Sequence, residues 1–573
     1  MQDRIDDLGY LLFLSFGELR DGLTAFALRD LGIVRTNTAQ STFEARFTDR
    51  PAAQSAYFYA TLRARIKAAD SAELPALATA VPSWPRRGDG AFDQAVARLG
   101  ARLDKAGDPE TALAVYAHSD SYPSTERRCR LRFARGERAA VEALLRGLID
   151  DPSCDEELLF AEDFYARKFA QKRIGTLTAL LRGAPVIRID EAFNDSAEYA
   201  AVRHYRRQGI SAHRAENHLW TTLFGTFFWP ELRENAATPN AFENRPTQLL
   251  DGTFAARQAA AIEARLALLG TPDALRHTDH IFATRFGTPN GVFRWREQDA
   301  PLLREFLAAA PPAAVATTLR RMAANFAATS SGFPDLVLLG GGGVRFVEIK
   351  AEGDQIRRNQ LVQIQALQAA GFEVEVVRVE WCVDPMQEYV VVDVETTGMR
   401  SEYHRVTEIG AVKVRAGAVV DRYQTLINPG RSIPPAITKL TGISDAMVAD
   451  APTFADVADA FRAFVGDAVF VAHNARFDYG FLRDEFARLG VSFRRPTLCT
   501  VVAMRRFYPG LASYRLGNLC ADFGIRLDSH HRASCDAEAT AGLLKLVNAK
   551  RLAPSGVEPA PCGVESPCDF VIV

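Results

Sequence analysis

The chain has 573 residues, too many for a single hydrophobic core, so three or more folded units are expected. Apolar residues make up 48% and charged residues 24%, the composition of an ordinary soluble protein. The net charge of −2 excludes a whole-chain basic excess, although acidic clusters can mask local basic patches in that sum.

In chain order, the apolar run Leu8 to Phe16 is too short to span a membrane. It is preceded by Asp3, Asp6 and Asp7 rather than by a basic stretch, so it reads as a buried helix and not as a signal peptide. Residues 1–90 and 91–190 both read as helical, with apolar residues three and four apart. The second stretch looks like paired short helices, each pair carrying a Gly-centred turn before an Ala-rich helix, a pattern that hints at a helical repeat. Six arginines fall between Arg127 and Arg138, as either a solvated helix face or a phosphate-contacting stripe.

From about residue 195 the texture changes. Residues 219–232, "LWTTLFGTFFWPEL", predict a buried helix. Residues 335–350, "DLVLLGGGGVRFVEIK", predict a hairpin around a glycine turn, and residues 357–381 predict a helix, a Gly stop and a strand. The five residues Val383 to Gln387 then lead to a strand at Tyr389 to Val392 and a second α/β region. That region has a hairpin over residues 408–430, a strand at Ala468 to Ala472 and a helix near Ala537 to Asn548; residues 551–573 read as a flexible tail. The eight cysteines, Cys129, Cys154, Cys382, Cys499, Cys520, Cys535, Cys562 and Cys568, form no C-x-x-C pair. Reduced thiols in a cytoplasm fit best.

Three acidic clusters mark the last region. "VVVDVETTG" is a strand buried on both faces that ends in Asp393 and Glu395, and residues two apart share a face of a strand. Two such carboxylates repel unless one holds a proton or a cation lies between them, and oxygen-rich clusters suit Mg²⁺ or Mn²⁺. "VAHNARFDYGFL" carries Asp478 on a helix after a strand, and "HHRASCDAEAT" places His531 five residues before Asp536. A histidine beside metal-bound water can act as a general base.

With "NPG" at Asn428 and "TGI" at Thr441, residues 388–550 resemble the DEDDh exonucleases, the family of the proofreading epsilon subunit of bacterial DNA polymerase III. The resemblance implies an RNase H-like α/β fold and removal of nucleotides in the 3′→5′ direction. It implies that Asp393, Glu395, Asp478 and Asp536 hold two metal ions, that His531 is the base, and that Thr396 contacts the terminal nucleotide.

"GFPDLVLLGGGGVRFVEIK" puts Asp335 on one strand and Glu348 with Lys350 on the next, where a hairpin can bring the two acids together. Two carboxylates can bind one or two metal ions, and Lys350 can stabilise developing negative charge. The segment resembles the PD-(D/E)xK fold of VRR-NUC nucleases, and residues 191–383 as a whole resemble the Fanconi-associated nuclease family. That resemblance implies Glu216 as a further acidic ligand, although "HRAEN" lacks the family's usual glycine after the acid. It also implies a SAP-like region over 1–90 and a TPR-like region over 91–190, in a chain that starts later than the family's usual opening helices. Gln360 supports the site from its helix or is a surface residue, and His213 and His218 read as ordinary histidines. The expected function is a two-nuclease protein acting on branched, flapped or free-ended DNA, in DNA repair, with no membrane partner. The alternative is a proofreading or RNA-trimming exonuclease whose first half is a DNA-docking scaffold.

Overall fold

The computed structural model describes residues 2–19, 22–31, 43–87, 90–171, 176–193, 196–234, 236–240, 242–340, 343–527 and 532–552. The chain divides into two compact units, Met1–Pro185 with Val202–Arg378 and Val186–Ala201 with Val379–Val573. Among the described residues no helix is long and apolar enough to cross a membrane. Cys129, Cys154, Cys499, Cys520 and Cys535 are free thiols. Cys382 is disulfide-bonded, against the expectation of uniformly reduced thiols, a pairing that no short Cys spacing signals.

The helices of the first unit begin where the sequence supplies caps. Asp49 accepts a hydrogen bond from Ala52 N (2.6 Å) at the start of Arg50–Ala68, and Asp108 accepts one from Thr111 N (3.1 Å) at the start of Pro109–Tyr116. Helix Ala91–Lys105 packs on Pro109–Tyr116 through Gly100, where any side chain would collide with the Tyr116 ring. Helices Ser124–Ala134, Arg138–Asp150 and Asp155–Lys168 enclose a second small core around Cys129, Leu145 and Phe160. The apolar run at the start is a helix, Gln2–Phe16, but not a buried one. Phe13 is buried against Phe47 and Tyr57, whereas Leu8 and Leu11 are 43% and 61% exposed. Tyr10 and Phe16 lie on the same side, half-buried against Tyr57 and Phe242.

The arginine stretch is spent largely on intramolecular pairs. Arg127 pairs with Asp104, Arg128 with Asp120 at 3.0 Å, Arg130 with Glu126 at 2.7 Å and Arg135 with Glu110 at 3.0 Å. Arg138 lies over Phe133 and donates to Lys168 O at 3.0 Å. These contacts favour the reading as a structural helix face over the phosphate stripe.

Strand β1 (Val186–Asp190) is counted with the second unit. In the first unit β2 (Ser211–Arg214), β3 (Leu336–Gly340) and β4 (Gly343–Lys350) are successively antiparallel, and β4 pairs in parallel with β5 (Glu373–Cys382). The parallel step needs a crossover, supplied by helix Arg358–Ala370 and ended by Gly371 at φ +106°. Helix Glu216–Phe227 is buried from Leu219 onward, and its Trp220 packs among Phe306, Phe333, Phe346 and Phe372 with ring centroids 5.5–5.9 Å away. That aromatic cluster is the centre of the unit's core.

The second unit has β6 (Tyr389–Thr396), β7 (Val406–Arg415), β8 (Ala418–Leu426), β9 (Val469–Ala472) and β10 (Thr497–Cys499), in the order β10-β9-β6-β7-β8. The β6-β7-β8 pairs are antiparallel, and β9 and β10 extend the sheet in parallel. Val390, Val392 and Val394 face the core formed with helices Phe454–Val465 and Ala475–Arg488. By alternation Asp393 and Glu395 point to the opposite face. Helix Ala533–Leu552 reaches β7 there because Gly410, the partner of Asp393 across the strands, has no side chain. A Cβ at Gly410 would lie 2.2 Å from Ala533 C and Ser534 N, atoms of a backbone that cannot move aside cheaply. Gly410→Ala is therefore expected to destabilise the second unit by about 1–3 kcal/mol or more. In Gly480→Ala, where nothing lies within 4 Å of the new Cβ in a helix, stability should hold or rise. Thermal unfolding of the two variants checks this; equal melting temperatures would contradict it.

Candidate active sites

Five carboxylates converge on the carboxyl end of β6. Asp393 and Glu395 come from the strand, Asp478 from helix Ala475–Arg488, Asp536 from the first turn of Ala533–Leu552, and Glu408 from β7 directly across from Glu395. Carboxylate oxygens of Asp393, Glu395 and Asp536 all lie within 4.8 Å of one another. Asp478 stands just outside that trio, with Oδ1 accepting Val394 N at 3.1 Å, which ties the helix to the strand between the two β6 acids. A cleft of about 380 Å³ opens on these four acids, and Thr396 and His473 also line it.

Burial and crowding set the charge state. Burial first, then Asp478, Asp536 and Glu395, hold the Asp393 carboxyl well above its ordinary range. Glu395 is pushed up to about 8 by burial and by Asp536 and Glu408, and Asp478 to about 7, chiefly by burial. Glu408 goes the other way: burial would raise it, but Arg532 donates to both its oxygens (2.8 and 3.1 Å) and keeps it ionised. Gln424 and the Ala533 amide complete its shell at 2.9 and 3.2 Å. Three carboxyls grouped so closely, with Asp478 lining the same cleft, are a donor set that fits a hard divalent cation.

The Thr396 hydroxyl is turned inward, donating to Gly398 O at 2.7 Å. His473 bridges Thr500 Oγ1 and Tyr514 O, both at 3.0 Å, which fixes its ring. His531 lies outside the described residues. Sequence reasoning missed Glu408 and Arg532. The available signal was a glutamate inside the otherwise apolar run "VTEIGAVKV", which needs a cationic partner if it is buried.

The first unit holds a second acidic group. Register places Leu336 opposite Val347, so the hairpin brings Asp335, just before β3, beside Glu348 on β4. Asp335 Oδ2 accepts the Ile349 amide at 2.8 Å, and its carbonyl accepts the amides of Ala215 and Glu216 at 2.7 and 3.1 Å. The exposed Glu216 therefore starts its helix at the acid pair, in the left-handed region at φ +37°. Non-glycine residues occupy that region at a cost of order 1–3 kcal/mol, and such strain clusters at functional sites.

Glu348 is fully buried, and burial, then Asp335, push it up to about 7 against the opposing effect of Lys350. Its Oε1 accepts from Lys350 Nζ (2.7 Å) and Gln360 Nε2 (2.6 Å), while its Oε2 has no hydrogen-bond partner among the described residues. A buried carboxylate oxygen left open beside a second acid fits a cation ligand. Gln360 also accepts from Lys350 Nζ at 3.2 Å, so it supports the site and is not a mere surface residue.

Two further residues escaped the sequence reading. Gln363 donates to Thr329 O and Ser331 O at 2.8 and 3.0 Å, fixing the loop that leads into Pro334 and Asp335. Asn217 takes the position where a glycine was expected, and its Oδ1 accepts Phe333 N at 3.2 Å from the same loop. His213 is engaged with Ser211 and Glu305, and His218 with Asp299 at 2.8 Å, so each serves a local polar contact.

Comparison with known proteins covers both regions of the chain. Residues 390–544 match the Exonuclease family model and residues 271–381 the VRR-NUC domain model. The chain is 46% identical over 158 residues to DNA polymerase III PolC-type of Halalkalibacterium halodurans, covering 27% of this chain and 11% of that protein. It is 43% identical over 172 residues to the PolC-type enzyme of Bacillus subtilis, covering 30% of this chain and 12% of that one. The chain thus spans only a small part of the length of these relatives. A crystal structure of paFAN1 bound to 1nt 5′flap DNA with gap superposes with a TM-score of 0.55 at 25% identity, covering 66% of this chain and 72% of that chain. Residues 271–381 thus match the VRR-NUC domain family and residues 390–544 the exonuclease family, two nuclease-type domains in one chain.

Proposed function

We propose that the chain is a two-nuclease DNA-processing protein: a metal-dependent 3′→5′ exonuclease over residues 388–550 and a structure-specific, 5′ flap-type nuclease over 191–383. On this reading residues 1–90 and 91–190 are its SAP-like and TPR-like helical regions. The observation that carries it is the presence of two separate acid clusters, each in the family where such a cluster serves phosphodiester hydrolysis. The flap-bound relative supports a flapped DNA substrate for the first site. The PolC-type relatives support DNA over RNA for the second. A cytoplasmic setting is part of this reading: among the described cysteines five thiols are free, and Cys382 is the disulfide-bonded exception.

Mg²⁺ or Mn²⁺ bound at either site would neutralise the carboxylates and lower the pKa of a water molecule that it holds. Asp393, Glu395, Asp478 and Asp536 would hold the ions in the exonuclease, and Glu216, Asp335 and Glu348 in the other site. Thr396, which lines the cleft, is assigned contact with the terminal nucleotide, and His531 is assigned the removal of the attacking water's proton. In the first unit the Lys350 ammonium, held by Glu348 and Gln360, is placed to stabilise negative charge growing on the phosphate.

Substrates labelled at each end separate the two activities. Asp393→Asn is expected to abolish degradation from 3′ ends and spare flap cleavage. Lys350→Ala should do the reverse, lowering flap cleavage by about 10²- to 10³-fold. Either substitution abolishing both activities in a folded protein would contradict two independent sites. RNA degraded as fast as DNA from its 3′ end would favour an RNA-trimming enzyme.

The raised carboxyls also make metal-free stability fall as pH rises. Glu395 at about 8 and Asp478 at about 7 stand above ordinary values of 4.5 and 3.8, so the folded state binds the extra protons. Their contribution is complete below the ordinary values and is lost as pH passes through 7 and 8. Metal-free protein should therefore melt at a lower temperature near pH 8.5 than near pH 5.5, and saturating Mg²⁺ should recover much of the loss at the higher pH. A melting temperature that rises with pH in chelator would refute the assignment.

A further inference from the structure

We propose that Glu126, on a helix of the helical region, is a positioning residue for the Asp335–Glu348–Lys350 site, acting through Arg358. The inference rests on reading that site as a nuclease centre. Glu126 is only 8% exposed. Its Oε1 accepts from Arg130 Nε at 2.7 Å and Arg358 Nη2 at 2.9 Å, and its Oε2 pairs with Arg358 Nη1. The same guanidinium donates to Tyr122 Oη at 2.8 Å and lies 5.5 Å from the Phe160 ring. Burial would raise the Glu126 carboxyl, but the two arginines outweigh it and keep the group ionised.

Arg358 is the first residue of helix Arg358–Ala370, and Gln360 is the third. Gln360 uses its whole amide at the site. It donates to Glu348 at 2.6 Å and accepts from Lys350 at 3.2 Å and from its own helix cap, Arg357 N, at 2.9 Å. Whatever fixes the start of this helix therefore fixes Lys350 against Glu348. The residue that grips that start comes from a region read from sequence as separate from the nuclease. Without Glu126, Arg130 and Arg358 would be two half-buried like charges with no carboxylate between them, and the helix start would lose its anchor. Glu126 is directed at Arg358 and away from solvent, so its removal should affect turnover rather than DNA affinity.

The test uses the full chain with Asp393→Asn to silence the exonuclease, and flapped DNA as substrate. Glu126→Ala is expected to lower kcat by about ten- to a hundred-fold, as misplacement of a reacting group does. KM should stay near the parent value, and amide exchange should accelerate over residues 358–362. Glu126→Gln, which keeps an acceptor for both arginines, should recover most of the rate. A raised KM with parental kcat would overturn the proposal and make the helical region a DNA-docking element. Parental kcat in Glu126→Ala alongside loss of cleavage in Lys350→Ala would overturn it while leaving the nuclease reading intact. If Lys350→Ala still cuts, the nuclease reading fails instead. Exchange then decides the inference, and unchanged protection at 358–362 in Glu126→Ala rejects it.

Discussion

Carboxyl groups forced together out of water set the terms for both halves of this chain. At the end of β6, burial with mutual repulsion pushes Asp393, Glu395 and Asp478 toward the protonated state. At β4, Glu348 meets the same penalty but carries an internal counter-charge in Lys350, and one oxygen is left open. The first arrangement concentrates carboxyls on one cleft, whereas the second balances its buried carboxyl with an ammonium.

Bringing such groups together takes precise backbone approach, and the second unit achieves it by omission. Gly410 stands across from Asp393, and the missing side chain admits the backbone of Ala533 and Ser534. Asp536 then enters one turn into the same helix. Just before the helix, Arg532 is consumed in neutralising Glu408, so the fifth carboxylate adds a fixed anchor rather than a further titrating group.

The first unit solves the same problem with side-chain amides. Gln360, Gln363 and Asn217 each hold a backbone or a charged group that borders the site. Amides can donate and accept at once without adding charge, which matters beside a carboxylate already costly to bury. The helical region joins the same network through Glu126 and Arg358, while its neighbouring arginines settle into ion pairs of their own.

The order of elements, the hairpin that carries Asp335 and Glu348, and the pairing of Asp393 with Glu395 were legible in the sequence because they depend on short periods. Residues two apart share a strand face, and glycines break strands and helices wherever they occur. Local pattern also brought out Asp478, Asp536 and Lys350, since each lies within a few residues of a strand end or helix start. Distance along the chain hid the rest. Glu408 meets Arg532 across 124 residues and Glu126 meets Arg358 across 232. The Leu8 to Phe16 run read as buried because composition reports apolarity, whereas only packing decides which residues find a partner, and there it chose Phe13. Sequence by itself determined which groups could bind metal and on which elements they sit. Tertiary structure decided which carboxyls are crowded, which are neutralised and which helix is held by a distant glutamate, because charge state and position depend on neighbours that the chain brings together only by folding.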